Sequence, residues 1–205
     1  MDDAQRSTAT AASLEQTEDA RWVEAALAGD LSAFDRLIER YQRRAVSVSY
    51  RLLGNMEDAS DACQDAFLRA YRSLDTLDAP ERFGAWLMRI VCNLSLNFRR
   101  GRRKALSLAS EADDEGGPAD TLAADEASHP APPSIAMGGE LESAISKAVD
   151  ALPEKQRLAL IMFALEGMPQ KEVAEVLEMS IEAVKWNVFQ ARKTLRERLS
   201  EFMIE

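Results

Sequence analysis

Apolar residues recur three and four apart along most of this chain, and no segment alternates them at every second position. A period near 3.6 marks a helix with one buried face, and a period of two marks a half-buried strand, so the pattern predicts helices and no β-sheet. The first helix runs Trp22–Ala28 and stops at Gly29. Asp30 or Ser32 can cap a second, from Ala33 to about Leu53, closed by Gly54. A third spans Asp58 to about Leu74, with Ala59, Ala62, Ala66, Phe67, Ala70 and Tyr71 on one broad face. Beyond the loop Leu77-Asp78-Ala79-Pro80 a fourth runs from Phe83 to about Arg100 and ends in Arg99-Arg100-Gly101-Arg102-Arg103-Lys104. The pattern resumes near Glu140, where Leu141, Ile145, Ala148 and Val149 share a helical face. Pro153 opens the next helix, at a first-turn position where its missing N–H is harmless. Leu158–Leu165 is strongly apolar, and Gly167 can cap it.

Between these blocks the composition changes. Residues 1–20 hold Ser, Thr, Ala and acids with almost no large apolar residue, and read as a disordered acidic tail. Residues 105–139 carry Gly116-Gly117-Pro118, Pro130, Pro132, Pro133 and Gly138-Gly139 among Ala, Asp and Glu, and read as a flexible acidic linker. The expected fold class is all-α: two small helical domains, 21–104 and 140–205, joined by that linker. As a coil it spans roughly 30–35 Å, with a contour limit of roughly 120 Å.

Two more helical patterns lie at the C-terminal end. Gln170–Leu177 puts Val173, Ala174 and Leu177 on one stripe, and Ile181–Leu199 does the same with Val184, Val188, Ala191, Leu195 and Leu199. Glu178-Met179-Ser180 separates them, and Ser180 is a good N-cap. Two helices about a tight turn, the second longer and carrying Lys185, Gln190, Arg192, Lys193 and Arg196, form the pattern of a helix-turn-helix that lays its second helix in a DNA major groove.

A net charge of −10 argues against DNA until it is divided. Residues 1–20 hold −4 and residues 104–139 hold −6, which is the whole excess. The block 21–103 is +3 and the block 140–205 is −3, leaving local basic patches free to meet phosphate. The chain has no apolar run of membrane-spanning length and no secretory segment at its start, which predicts a cytoplasmic protein. Cys63 and Cys92 lie far apart inside helical patterns and read as reduced thiols. With His129 the sole histidine, no metal site is expected, and no cofactor. A Gly-rich phosphate loop, a His/Cys cluster and a nucleophile–base pair are all missing, so an enzyme is not expected.

The order and spacing of short motifs resemble the extracytoplasmic-function group of sigma-70-type RNA polymerase sigma factors. The first domain carries Ala28-Gly29-Asp30, Ala33-Phe34, Tyr41, Arg51-Leu52-Leu53-Gly54, Glu57-Asp58-Ala59, Asp61-Ala62 and Gln64–Tyr71. Phe83, Ala85-Trp86-Leu87, Arg89-Ile90, Asn93 and the basic end Arg99–Arg103 follow. The second carries Leu152-Pro153, Gln156-Arg157, Glu166-Gly167, Glu172-Val173-Ala174, Val184-Lys185, Ala191-Arg192 and Leu195. The resemblance implies a factor that binds core RNA polymerase, reads promoter −10 and −35 elements and aids DNA melting, with an anti-sigma factor as a further partner. By that likeness the third helix docks on polymerase through Asp61, Gln64, Asp65, Phe67 and Leu68, although Phe67 and Leu68 also suit the core. The fourth would hold the −10 strand through Arg89, Asn93, Asn97, Arg99, Arg100, Arg102 and Arg103, asparagines and cations suiting unstacked bases and backbone. The −35 element would fall to Ser180, Lys185, Trp186, Asn187, Gln190, Arg192 and Lys193, where Asn187 and Gln190 can pair with adenine. Here the chain departs from the family, which often has Thr, Ser and Arg where this helix has Ala183, Trp186 and Asn187. The other reading is a stand-alone two-domain helix-turn-helix regulator that does not bind core polymerase.

Overall fold

The computed structural model describes residues 2–112 and 144–200. Helices dominate, and no strand occurs among the described residues. Four helices build the first unit: α1 (Asp2–Leu27), α2 (Leu31–Leu53), α3 (Met56–Arg72) and α4 (Phe83–Ala112). The caps follow from the sequence. Asp30 accepts from Ser32 N at the start of α2, and Gly54 closes that helix at φ 73°. Asn55 accepts from Asp58 N to start α3. Two short 3₁₀ turns, Leu74–Thr76 and Pro80–Arg82, carry the chain into α4.

Two elements are longer than expected. The stretch read as a disordered tail is helical from Asp2 and continuous with the predicted Trp22 helix. Its last turns pack on α2, where Arg40 pairs with Glu18 and with buried Asp19 and lies 4.2 Å over the Trp22 ring. Those charges read as solvated tail from sequence because their partners lie more than twenty residues away. Likewise α4 continues through Ala112, into the first residues assigned to the linker. The rest of that linker, 113–139, lies outside the described residues.

The first core is built by α2, α3 and α4, with Leu37, Val48, Leu52, Ala62, Ala66, Phe83, Leu87, Met88 and Val91 all buried. Phe83 anchors the start of α4: its ring meets Phe34 at 6.4 Å, Tyr41 at 5.6 Å and Trp86 at 5.9 Å between centroids. Phe67 belongs to this core as well.

The second unit comprises α5 (144–150), α6 (Glu154–Leu160) running into a π-helical turn at Ile161–Leu165, α7 (Gln170–Leu177) and α8 (Ile181–Arg198). Buried Arg157 donates to the carbonyls of Val149, Asp150 and Leu152, which ties the start of α6 to the end of α5. Gly167 sits at φ 66° beyond the π turn, as its capping role requires. The apolar core runs without a break from the first unit into the second, taking in Ile161, Met162, Met168, Val173, Val176 and Val184.

Candidate nucleic-acid interface

Three helix faces hold the residues singled out above. On α3, Asp61, Gln64, Asp65 and Leu68 point outward together, while Phe67 turns into the core. Helical periodicity explains the split: Ala59, Ala62, Cys63, Ala66, Phe67 and Ala70 form the buried stripe, and the four others lie opposite it.

On α4, Asn93 and Asn97 stand four apart and exposed, and both line a cavity of about 340 Å³ with Arg69, Ile90, Leu94 and Arg100. Arg89, Arg99, Arg100 and Arg102 of this helix are each paired in this conformation. Arg89 pairs with Glu178 and donates to the Glu175 carbonyl at 2.9 Å, while its Nε is buried without a hydrogen bond. Arg99 is buried, 3.0 Å from the Asp150 carboxylate and bonded to the Leu52 and Asp150 carbonyls. Arg100 meets Glu154 at 2.7 Å, and Arg102 meets Asp58 at 2.9 Å. Of Arg103 only the backbone is described.

The pair α7–α8 is a helix-turn-helix. Glu178 makes the turn in the left-handed region (φ 52°, ψ 49°), a conformation that favours glycine. Ser180 accepts from Ala183 N at 3.1 Å, so its side chain is occupied as the cap of α8. Val184, Asn187, Val188 and Ala191 face inward. Asn187 is 8% exposed, and its amide donates to the Ala183 carbonyl at 2.8 Å, so that amide is turned away from any groove. Lys185, Trp186, Arg192 and Lys193 are exposed, Gln190 is partly so, and Arg192 lies 6.0 Å over the Phe163 ring. Phe189, 63% exposed, completes the outer stripe with Trp186, 56% exposed, and was not expected there. Its signal was present in the sequence: it falls three positions after Trp186 and one after inward Val188.

Among the described residues no helix is long and apolar enough to cross a membrane, and no group of His, Cys, Asp and Glu could hold a metal ion. The arrangement joins an acidic and polar face, an asparagine–arginine face and an exposed basic–aromatic recognition helix. Such a set suits binding to a protein surface and to nucleic acid.

The chain is similar to known proteins over most of its length. Residues 37–105 match the family described as Sigma-70 region 2, and residues 142–195 match Sigma-70, region 4. The RNA polymerase sigma-H factor of Pseudomonas aeruginosa is 30% identical over 194 residues, covering 94% of this chain and 99% of that protein. The ECF RNA polymerase sigma-E factor of Escherichia coli (strain K12) is 30% identical over 191 residues, 90% of this chain and 96% of that one. Among solved structures, CnrH in complex with the cytosolic domain of CnrY aligns with a TM-score of 0.63 and 25% identity, over 90% of this chain and 98% of that one.

Proposed function

We infer the division of labour within this chain from one premise: the chain belongs to the extracytoplasmic-function group of sigma-70 RNA polymerase sigma factors. It binds core RNA polymerase, directs it to a class of promoters through −10 and −35 elements, and aids melting of the DNA. The observation that carries the reading is the order of two matched regions in one chain that spans nearly the whole length of its sigma-factor relatives. Nothing favours a stand-alone regulator.

In this reading residues 21–104 are the polymerase-binding and −10 domain. Asp61, Gln64, Asp65 and Leu68 make the docking face on α3, where carboxylates and an amide meet a basic partner around one apolar side chain. Phe67 supports that face from the core side. Asn93 and Asn97 hold unstacked bases of the non-template strand, and Arg89, Arg99, Arg100, Arg102 and Arg103 neutralise its backbone. Residues 140–205 read the −35 duplex. There Lys185, Gln190, Arg192 and Lys193 supply donors and charge, Trp186 adds apolar contact, Ser180 fixes the start of the helix, and Asn187 holds its inner side. The protein works in the cytoplasm, contributes no catalytic step of its own, and is held inactive by an anti-sigma factor.

The test is capture of core polymerase by the tagged full-length chain, followed by run-off transcription on genomic fragments. Stoichiometric capture, reduced at least tenfold by Gln64→Ala with Asp65→Ala, and discrete new transcripts are expected. Capture unaffected by that pair would overturn the docking assignment. Duplex binding without any capture of core would overturn the assigned function.

A further inference from the structure

The outer face of α8 is apolar at its centre. At about 100° per residue around the axis, buried Val184, Asn187, Val188 and Ala191 share one face. Glu182, Trp186, Phe189 and Lys193 stand opposite it, all exposed, with exposed Lys185, Arg192 and Arg196 along one flank. Among the described residues of the second unit, Trp186 and Phe189 are the most exposed large apolar side chains. Three residues separate them, about 4.5 Å along the axis, close to the step of roughly 3.4 Å between neighbouring base pairs. Two polar side chains near this face are engaged elsewhere: the Asn187 amide donates to the Ala183 carbonyl, and the Ser180 hydroxyl caps the helix. We propose that Trp186 and Phe189 read the C5-methyl groups of thymines at two neighbouring base pairs of the −35 element. This rests on the assignment of α8 to the −35 duplex and names what that helix reads there.

Thymine alone among the four bases presents an apolar group in the major groove, and apolar side chains recognise it by contact. An aromatic ring held in water by its place on a helix gains by covering that methyl, because both surfaces leave water together. The fold does not use these rings: neither packs against the apolar core of either unit. Phe163 differs, since it joins the core and Arg192 lies 6.0 Å over its ring. Gln190 points to the same base pair. It follows Trp186 by one helical turn, it is partly exposed, and a glutamine amide pairs with adenine, the partner of thymine. The cations on the flank of the two rings suit the phosphates that border the groove. Trp186 also stands where this helix departs from the family's usual polar residues, so the readout belongs to this chain in particular.

The experiment uses holoenzyme assembled from the full chain and core RNA polymerase. Bound duplexes are selected from a pool with 60 random base pairs, amplified with either dTTP or dUTP, whose base pairs alike but lacks the methyl. The thymine pool should yield a downstream and an upstream conserved segment. Two neighbouring pairs of the upstream one should favour thymine over cytosine at least fivefold. In the uracil pool that preference should fall at least threefold at both pairs. Trp186→Ala and Phe189→Ala, each at an exposed position, should each lose the preference at one pair and keep the other, with far-UV circular dichroism unchanged. Arg196→Ala should weaken binding to all sequences alike and keep both preferences. Uracil favoured as strongly as thymine overturns the methyl readout. Preferences that survive in both ring variants overturn the assignment of the rings to the duplex and leave them to a protein partner. A downstream segment without an upstream one overturns the −35 assignment and the readout with it. Failure to assemble with core overturns the assigned function as well as the readout.

Discussion

Asp19 is 1% exposed, wedged between Arg40 and the Tyr41 hydroxyl that donates to it. Burial raises its carboxyl above the ordinary aspartate value, against the lowering by both hydrogen bonds. The same burial and the facing carboxylate push the Tyr41 phenol well above its ordinary value, so it remains a donor. Between the unfolded and the folded pKa of Asp19 the native state holds a proton that the unfolded chain has lost, so stability falls as pH rises through that window. Urea unfolding from pH 3.5 upward should show this decline in the wild type. In Asp19→Asn the decline should be shallower, with a constant offset from wild type above the window. Cys92 gives a second check at this scale. Burial pushes its thiol up to about 12, which leaves a thiolate fraction of about 10⁻⁴ at pH 8 against roughly 0.2 for an exposed cysteine. Iodoacetamide should therefore label native Cys92 about a thousandfold more slowly than the urea-unfolded chain, read by mass spectrometry. Labelling at equal rates would mean an open site. The sequence read both cysteines as reduced thiols from their place in helical patterns and left their reactivity open. It could not reveal Asp19, because what makes that carboxylate structural is a pair of partners on another helix.

Helix identity was legible because the helices beyond α1 carry apolar stripes and several have recognisable caps. Asp30, Gly54, Asn55, Gly167 and Ser180 all stand at helix ends for reasons of local chemistry. Lengths were less legible. The acids of α1 carry no stripe, and its last turns are held by Arg40, more than twenty residues away in sequence. Gly84 shows a constraint of the same distant kind. It sits in the first turn of α4, where an added Cβ would lie 2.5 Å from the Tyr41 hydroxyl oxygen and 2.8 Å from its Cζ. Alanine would favour the helix by up to about 1 kcal/mol, and the clash would cost about 1–3 kcal/mol by displacing Tyr41 from Asp19. Gly84→Ala should therefore lower the urea midpoint of the full chain. An unchanged or raised midpoint would show that α2 and α4 can separate without loss. At the site, the structure turns Asp61, Gln64, Asp65 and Leu68 outward and takes Phe67 into the core, and it leaves Trp186 exposed where the sequence left its direction open. Periodicity mistook Asn187 for a reader, since three- and four-residue spacings leave a residue beside the stripe free to turn either way.

The two units differ in what holds them. The first buries a core across three long helices, whereas the second is shorter and its own small cluster centres on Leu152, Leu160, Ala191 and Leu195. A small unit buries a smaller fraction of its surface and is correspondingly less stable alone. It therefore relies on the shared core and on the five ion pairs that face α2 and α4. None of this coupling was visible in the sequence except as opposite net charges on the two blocks, because a pairing between elements about a hundred residues apart leaves no local trace. Hydrogen exchange in rising urea should resolve it. Amides of α6 and α8 should open at lower free energy than those of α3, because the second unit separates before the first core fails. Raising the salt from 0.05 to 1 M shortens the screening length from roughly 14 Å to 3 Å. Salt should then weaken the ion pairs, leave the apolar contacts in place, and widen the gap between the two sets of amides. One common opening free energy, insensitive to salt, would instead mean that the units are joined by their apolar contacts alone.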